Sequence, residues 1–349
     1  MSHYSVLNQA DLNEILKQYD IETIDSFSLL SGGSENTNYK VRSGNRKFVL
    51  TICEQKTFAN ANDLAHLLAH LAKHDFETSK VIPNNSGDLV SLWNEKPIML
   101  KNFLDGEIIE DLPNQIIENI GFKMGELHQI AVPDYLPKGL NYGQEYFHET
   151  SQYASNSSFT SWLETIHEYI KPYFNENLPK TLIHKAANYY RIFDVGMTIV
   201  GLCSENKKLN LEKMGYLLKG YQQIIALQEA EKKALQAFTV YAAAAMTFWR
   251  HRNFNHTNPD PEMFDHYLGI NNKTNKGCAD ISNAAIPVST YFKAHTTTPL
   301  PKVKKKNPAM NRLLDNRDLI TTRLGSNSNC FSNECLMRFP VGVIKNLQY

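Results

Sequence analysis

Between two short β-patterned runs the chain reads Ser31-Gly32-Gly33-Ser34-Glu35-Asn36-Thr37-Asn38-Tyr39, and this segment constrains the fold more than any other. Phe27, Leu29 and Leu30 precede it; Val41 and then Phe48-Val49-Leu50-Thr51-Ile52 follow. The two glycines therefore fall in the turn of a hairpin. Glycine has no Cβ, so backbone N–H groups there can approach a phosphate closely. A nucleotide-binding loop of the kinase type needs that approach. An ordinary hairpin turn also uses paired glycines, so the loop alone leaves both readings open.

The flanking pattern extends the strand reading. Asn8 is placed to cap a helix whose apolar residues Leu12, Ile15, Leu16 and Tyr19 recur at i, i+3, i+4 and i+7. Three strands follow, with Ser43-Gly44-Asn45 turning between the second and third. A second helix is expected from Asn62, with Leu64, Leu67, Leu68 and Leu71 on one face. His66, His70 and His74 lie beside that face; histidines four apart can ligate a metal, but no acid completes the set. Asn85-Ser86-Gly87-Asp88 is a turn before a strand through Leu89, Val90 and Leu92. Trp93 to Lys96 then turns into one further strand.

After Gly106 the pattern becomes helical. Ile116, Ile117, Ile120, Met124 and Leu127 make one apolar stripe, and Phe159, Trp162, Leu163, Ile166 and Tyr169 another. Pro133 to Ser158, between them, reads as a polar and aromatic loop. A long helix is expected over about 229–254, and its alanine-rich run from Tyr241 to Met246 reads as close helix packing. Beyond Ile270 no period is sustained, and 271–349 reads as a disordered tail rich in Asn, Ser, Thr and Lys. Its Lys302, Lys304, Lys305 and Lys306 cluster reads as a solvated stretch rather than a polyanion-binding patch.

Composition excludes several classes. At 349 residues, 42% hydrophobic and 21% charged, the chain can bury a sizeable core in two lobes. Basic and acidic residues balance at 36 each, so no overall charge favours nucleic acid or an anionic membrane. No apolar run approaches the ~20 residues of a membrane span. Met1-Ser2-His3-Tyr4 lacks the basic-then-apolar start of a signal peptide. The cysteines at 53, 203, 278, 330 and 335 are odd in number and scattered, which suits a reducing cytoplasm rather than a disulfide framework.

Several segments taken together resemble one family. They are Gly33 to Tyr39, Phe48-Val49-Leu50-Thr51, Lys96-Pro97-Ile98-Met99-Leu100, Phe103-Leu104-Asp105-Gly106, Gly121 to His128, Asn188 to Leu202, and Phe248-Trp249-Arg250. Over roughly residues 5–270 the chain resembles the type II homoserine kinases, of the aminoglycoside phosphotransferase and choline kinase group. The resemblance implies an α+β, protein-kinase-like two-lobed fold: an antiparallel-sheet lobe over 1–104 and a mainly helical lobe over 105–270. It implies transfer of the γ-phosphoryl of ATP, with Mg²⁺, to the hydroxyl of L-homoserine or a related small alcohol such as choline or an aminoglycoside. It assigns nucleotide contacts to Ser31, Gly32, Gly33, Ser34, Glu35, Asn36, Asn38, Thr51 and the hinge residues Asn102 and Phe103. Many relatives place a phosphate-binding Lys or Arg at the Thr51 position. Type II homoserine kinases resemble this chain in having an uncharged residue there. Nothing in the chain indicates an oligomeric state.

The resemblance breaks where the chemistry belongs. In the group, a strand matching Leu182-Ile183-His184 enters a loop with an Asp base, a metal-binding Asn, and a second metal-binding Asp on the next hairpin. Here His184 runs directly into Lys185-Ala186-Ala187-Asn188, and Asn188 onward resembles the segment beyond that second Asp. By comparison with the family pattern roughly two dozen residues are absent. His184 is the remnant of the motif, so no catalytic residue and no metal ligand is expected to remain. The acid nearest along the chain, Asp194, opens an apolar helical run, where it can cap the helix or hold the catalytic loop's backbone; by resemblance the matching acid of the family is structural. Two origins fit flanks that resume in register: a deletion in the protein, or a stretch lost from the coding sequence. Reading the transcript across codons 184–186 separates them. The expectation is a kinase-like protein with little or no Mg·ATP binding and no transfer activity; the alternative is a non-catalytic binding module on the same fold.

Overall fold

A computed structural model of the protein describes residues 5–30, 36–106, 109, 111–154, 157–205, 208–265 and 267. The loop residues Ser31, Gly32, Gly33, Ser34 and Glu35 lie outside the described residues, as do the expected tail and its lysine cluster. Helix α1 (Gln9–Lys17) starts as its sequence directs. The Asn8 side chain accepts from the N–H groups of Ala10 and Asp11, while Asp11 accepts from the Asn8 N–H. Such a box stabilises a helix start by ~1 kcal/mol. Leu12, Ile15 and Leu16 on its inner face are fully buried.

Strands β1 (Ser26–Leu30), β2 (Asn36–Ser43) and β3 (Arg46–Cys53) form an antiparallel meander. At the β2–β3 turn Gly44 takes φ +58°, a conformation other residues adopt only with strain. Helix α2 (Phe58–Lys73) begins four residues before Asn62, because Thr57 supplies the cap by accepting from the Asn60 N–H. Its first turn exposes Phe58, so apolar periodicity gives no sign of that turn. Strands β4 (Val81–Ile82), β5 (Ser91–Trp93) and β6 (Lys96–Asn102) follow, three where sequence pattern suggested two. Asn94 and Glu95, both at positive φ, make the tight β5–β6 turn. The sheet order is β1-β2-β3-β6-β4, with β5 also on β6, and every pair is antiparallel.

Side-chain alternation divides this sheet between two partners. Phe48, Leu50 and Ile52 point to α1, sharing a core with Leu12, Ile15 and Leu16. Cys53 and Met99 point the other way, onto Ala61 and Ala65 of α2. The second half of α2 sends Leu67, Leu68 and Leu71 into the helical core, so one helix belongs to both parts of the molecule.

That helical part begins with α3 (Asn114–Gln129). The segment expected as a loop contains a 3-10 turn (Gln144–Glu149) running into α4 (Thr150–Tyr153), and α5 (Ser157–Ile170) begins at its end. Next come β7 (Lys180–Ile183) and β8 (Ala187–Tyr190), α6 (Arg191–Leu202), a short hairpin of β9 (Ser204–Glu205) and β10 (Lys208–Leu209), then α7 (Leu211–Gln222) and α8 (Glu229–Arg252). A π-helical turn, Asn253–Thr257, ends α8. The Ala242–Ala245 run of α8 is buried, as its small side chains suggested, with α8 packed on α5 and α6. Among the described residues no helix is long and apolar enough to cross a membrane.

Candidate functional site

The chain closes the junction after His184 with a tight hairpin. Ile183 pairs with Ala187, leaving His184-Lys185-Ala186 as a three-residue turn. The Ala186 N–H donates to the Ile183 carbonyl at 3.0 Å, and Ala186 sits at φ +56°, a left-handed conformation that strains a residue carrying a Cβ. The Asn188 N–H donates to the Pro137 carbonyl at 2.8 Å and fixes the hairpin to the preceding loop. On the other side Tyr189 and Tyr241 share a hydroxyl–hydroxyl bond of 2.9 Å, and the Tyr241 hydroxyl accepts from the Gln144 N–H at 3.0 Å.

Beneath the turn lies a buried network centred on Asp194, the fourth residue of α6. Its Oδ2 accepts from the His184 backbone N–H at 3.0 Å and bonds His128 Nε2 at 3.0 Å. Its Oδ1 bonds His184 Nδ1. His128 in turn meets the Tyr221 hydroxyl at 2.9 Å, and its carbonyl accepts from Thr181 Oγ1. Asp194 is fully buried with both oxygens engaged, so it cannot reach a substrate without breaking these bonds. It accepts from the backbone of the His184 turn. Alongside, the Arg191 guanidinium grips Glu231 of α8 through two bonds of 2.7 and 2.6 Å, which seats the start of α6.

Above the turn opens a cleft of about 800 Å³. Its walls include Lys56 and Asp63 from the β3–α2 region, Glu149, Lys185 of the hairpin turn, and Arg252 and His256 from the end of α8 and its π turn. Lys56, Asp63, Lys185 and Arg252 are each half-buried. Arg252 pairs with Glu149 at 3.2 Å and donates to the Asn141 carbonyl.

The sequence-derived nucleotide residues are placed as follows. Thr51 lies on the α2 side of the sheet, but it is buried and its hydroxyl donates to Asn38 Oδ1 at 2.7 Å. Asn36, the first residue of β2, is buried, with its Oδ1 accepting no hydrogen bond. At the hinge the Asn102 and Phe103 N–H groups donate to the carbonyls of Lys80 and Lys47, so both are used inside the sheet lobe. The cleft residues Lys56, Asp63, Glu149, Arg252 and His256 were not found from sequence. They sit on widely separated segments, and only Phe248-Trp249-Arg250 pointed toward that end of α8.

Magnesium requires oxygen ligands, chiefly carboxylates and phosphates. The turn beneath the cleft offers an imidazole, an ammonium and a methyl group. Among the described residues no group of three or more His, Cys, Asp and Glu is arranged to hold a metal ion. Among the described residues, those of this turn do not fit the ion that the family resemblance implies.

Comparison with known proteins agrees with this architecture. Residues 26–187 match the model of the phosphotransferase enzyme family, APH, and the match ends on the first residue of β8. A homoserine kinase of Brucella ovis is 24% identical over 288 residues, covering 72% of this chain and 86% of the relative. Its counterpart from Brucella abortus is 24% identical over 291 residues, with the same coverage. Among solved structures, spectinomycin phosphotransferase APH(9)-Ia in complex with ADP and spectinomycin superposes with a TM-score of 0.57 at 15% identity, over 80% of this chain and 99% of that one. An ethanolamine kinase of Plasmodium vivax gives 0.54 at 12%, over 83% and 93%. The sheet-and-helix architecture is the one these kinase structures share. Over residues 26–187 the chain is similar to the phosphotransferase enzyme family, and at 24% identity it is distantly similar to the Brucella homoserine kinases.

Proposed function

We propose that this protein is a small-molecule kinase fold of the homoserine kinase lineage that does not transfer phosphate: a cytoplasmic module that binds nucleotide weakly. One observation carries the reading. The hairpin turn where the group keeps its base and leads to its metal ligands is His184-Lys185-Ala186, and Asp194 beneath it is fully engaged. Phosphoryl transfer depends almost wholly on positioning and charge neutralisation, so loss of base and metal ligands together removes most of the rate. The acceptor in intact relatives, homoserine or another small amino alcohol, comes from similarity. In support, the cleft of about 800 Å³ has carboxylates and amides in its lining that such a molecule could contact.

Calorimetry tests the metal side of this reading. Each lost charge-assisted contact weakens binding by ~1.5–3 kcal/mol, so two or three together move ATP toward millimolar affinity or weaker. Thr51, already bonded to Asn38, adds no positive charge in compensation. The expected result is weak ATP binding that is nearly equal in Mg²⁺ and in chelator. Micromolar affinity that collapses on chelation would mean that a metal site exists.

A further inference from the structure

We infer that His70 and His74, one turn apart at the C-terminal end of α2, form a surface site for a divalent transition-metal cation, with one imidazole nitrogen from each as ligand. Neither residue lines the cleft, and the site does not depend on what the cleft binds.

Spacing alone does not make such a site, since His66, His70 and His74 share it and no acid joins them. The geometry adds three things. First, His70 Nε2 lies 2.8 Å from the Ala131 carbonyl oxygen. A carbonyl can only accept, so Nε2 carries the hydrogen, and in the neutral ring Nδ1 keeps its lone pair. Metal-bound histidines are oriented in the same way, with the second ring nitrogen donating to a carbonyl or carboxylate. Second, the ring next to it is that of His74, with centroids 4.6 Å apart and planes at 62°. His74 is exposed and can turn, and metal–nitrogen bonds of ~2.0–2.1 Å let one ion span two rings this close. Third, His70 lies in the last turn of α2 and His74 is its C-cap. The carbonyl end of a helix carries partial negative charge, which favours a cation there.

The chemistry selects the ion. Imidazole suits Ni²⁺, Cu²⁺ and Zn²⁺, whereas Mg²⁺ and Ca²⁺ take oxygen ligands. Among the described residues no group of three or more His, Cys, Asp and Glu is arranged around a metal position, so water completes the coordination. The bond to Ala131 ties the site to the segment after α3, and α2 itself packs on the sheet through Ala61 and Ala65 and in the helical core through Leu67, Leu68 and Leu71. A bound ion therefore braces α2 where the two parts of the molecule meet.

The test is titration calorimetry of the full-length chain with Ni²⁺, and with Mg²⁺ as the second probe. Ni²⁺ is chosen because the cysteines of the chain compete more for Zn²⁺ and copper. Wild type is compared with His70→Gln, His74→Gln and His66→Gln, and a metal-free melting curve for each confirms folding. His74 is exposed, so its variant reads the site without touching the bond to Ala131. The expected result is that Ni²⁺ binds wild type and Mg²⁺ does not. Losing even an outer partner of a metal ligand costs about 10–100-fold in affinity, so His70→Gln and His74→Gln should each weaken Ni²⁺ by about tenfold or more. His66→Gln should leave the affinity unchanged. Ni²⁺ should raise the melting temperature of wild type and of His66→Gln, and not that of the other two. Ni²⁺ affinity that ignores both His70→Gln and His74→Gln overturns the inference. So does a loss on His66→Gln with His74→Gln unaffected, which would place the ion one turn earlier.

Discussion

Asp194 stays ionised inside the protein because its partners outweigh its burial. Burial alone pushes the carboxyl group's pKa up, but the charge on His184 and the bonds from His128 and His184 hold it well below the usual carboxylate range. A carboxylate with a lowered folded-state pKa contributes stability that is complete above its unfolded value, ~3.9, and fades as pH falls toward the folded value. Asp194→Asn should therefore cost about 3–5 kcal/mol near pH 7, since it leaves buried imidazoles and a backbone N–H without their acceptor. The gap between wild type and variant should narrow progressively below about pH 4. Urea unfolding at pH 7, 5 and 3 checks both parts; a difference that is small at pH 7, or constant down to pH 3, would mean that the carboxylate does not hold the turn. At this scale the sequence was partly informative. The sequence left Asp194 with two roles, helix cap or support of the loop backbone, whereas His128 and Tyr221, which complete the network, come from α3 and α7 and carry no local signal.

Two helices of the helical part touch backbone to backbone. On α3, a Cβ added to Gly121 would lie 2.0 Å from the Leu217 carbonyl oxygen; on α7, one added to Gly220 would lie 1.8 Å from that of Glu118. Backbone cannot yield as a side-chain tip can, so the helices would have to separate. Gly220→Ala should destabilise by about 1–3 kcal/mol despite alanine's better helix propensity. A lower denaturation midpoint at unchanged slope confirms this; a midpoint at or above wild type rejects the close contact. Elements with regular apolar spacing were legible in the sequence: α1 from its cap and stripe, α3 and α5 from their stripes, and α8 over about 229–254. Those lacking it were displaced or missed. The start of α2 depends on Thr57 capping a turn with an exposed Phe58, and β4 pairs over only two residues. The 3-10 turn at Gln144–Glu149 is fixed by contacts such as Gln144 to Tyr241, a separation of 97 residues that no local pattern carries.

For the whole molecule, the apolar faces on both sides of the His184 turn, Leu182 and Ile183 before it and Ala187 and Tyr189 after it, are buried in one core, and burial of such faces dominates stability. The fold therefore tolerates a hairpin that closes directly over Asp194. The cleft was illegible in the sequence: its walls come from the β3–α2 region, Glu149, the hairpin turn and the end of α8, and only three-dimensional packing brings them together. The central claim is that this cleft binds without transferring. The most direct measurement is ADP release by the full chain with ATP, Mg²⁺ and L-homoserine, with and without the acceptor, in a coupled assay. The account predicts a rate indistinguishable from the acceptor-free background. Homoserine-dependent turnover above that background would contradict it, and would mean that an acid has entered the cleft where this structure places Lys185.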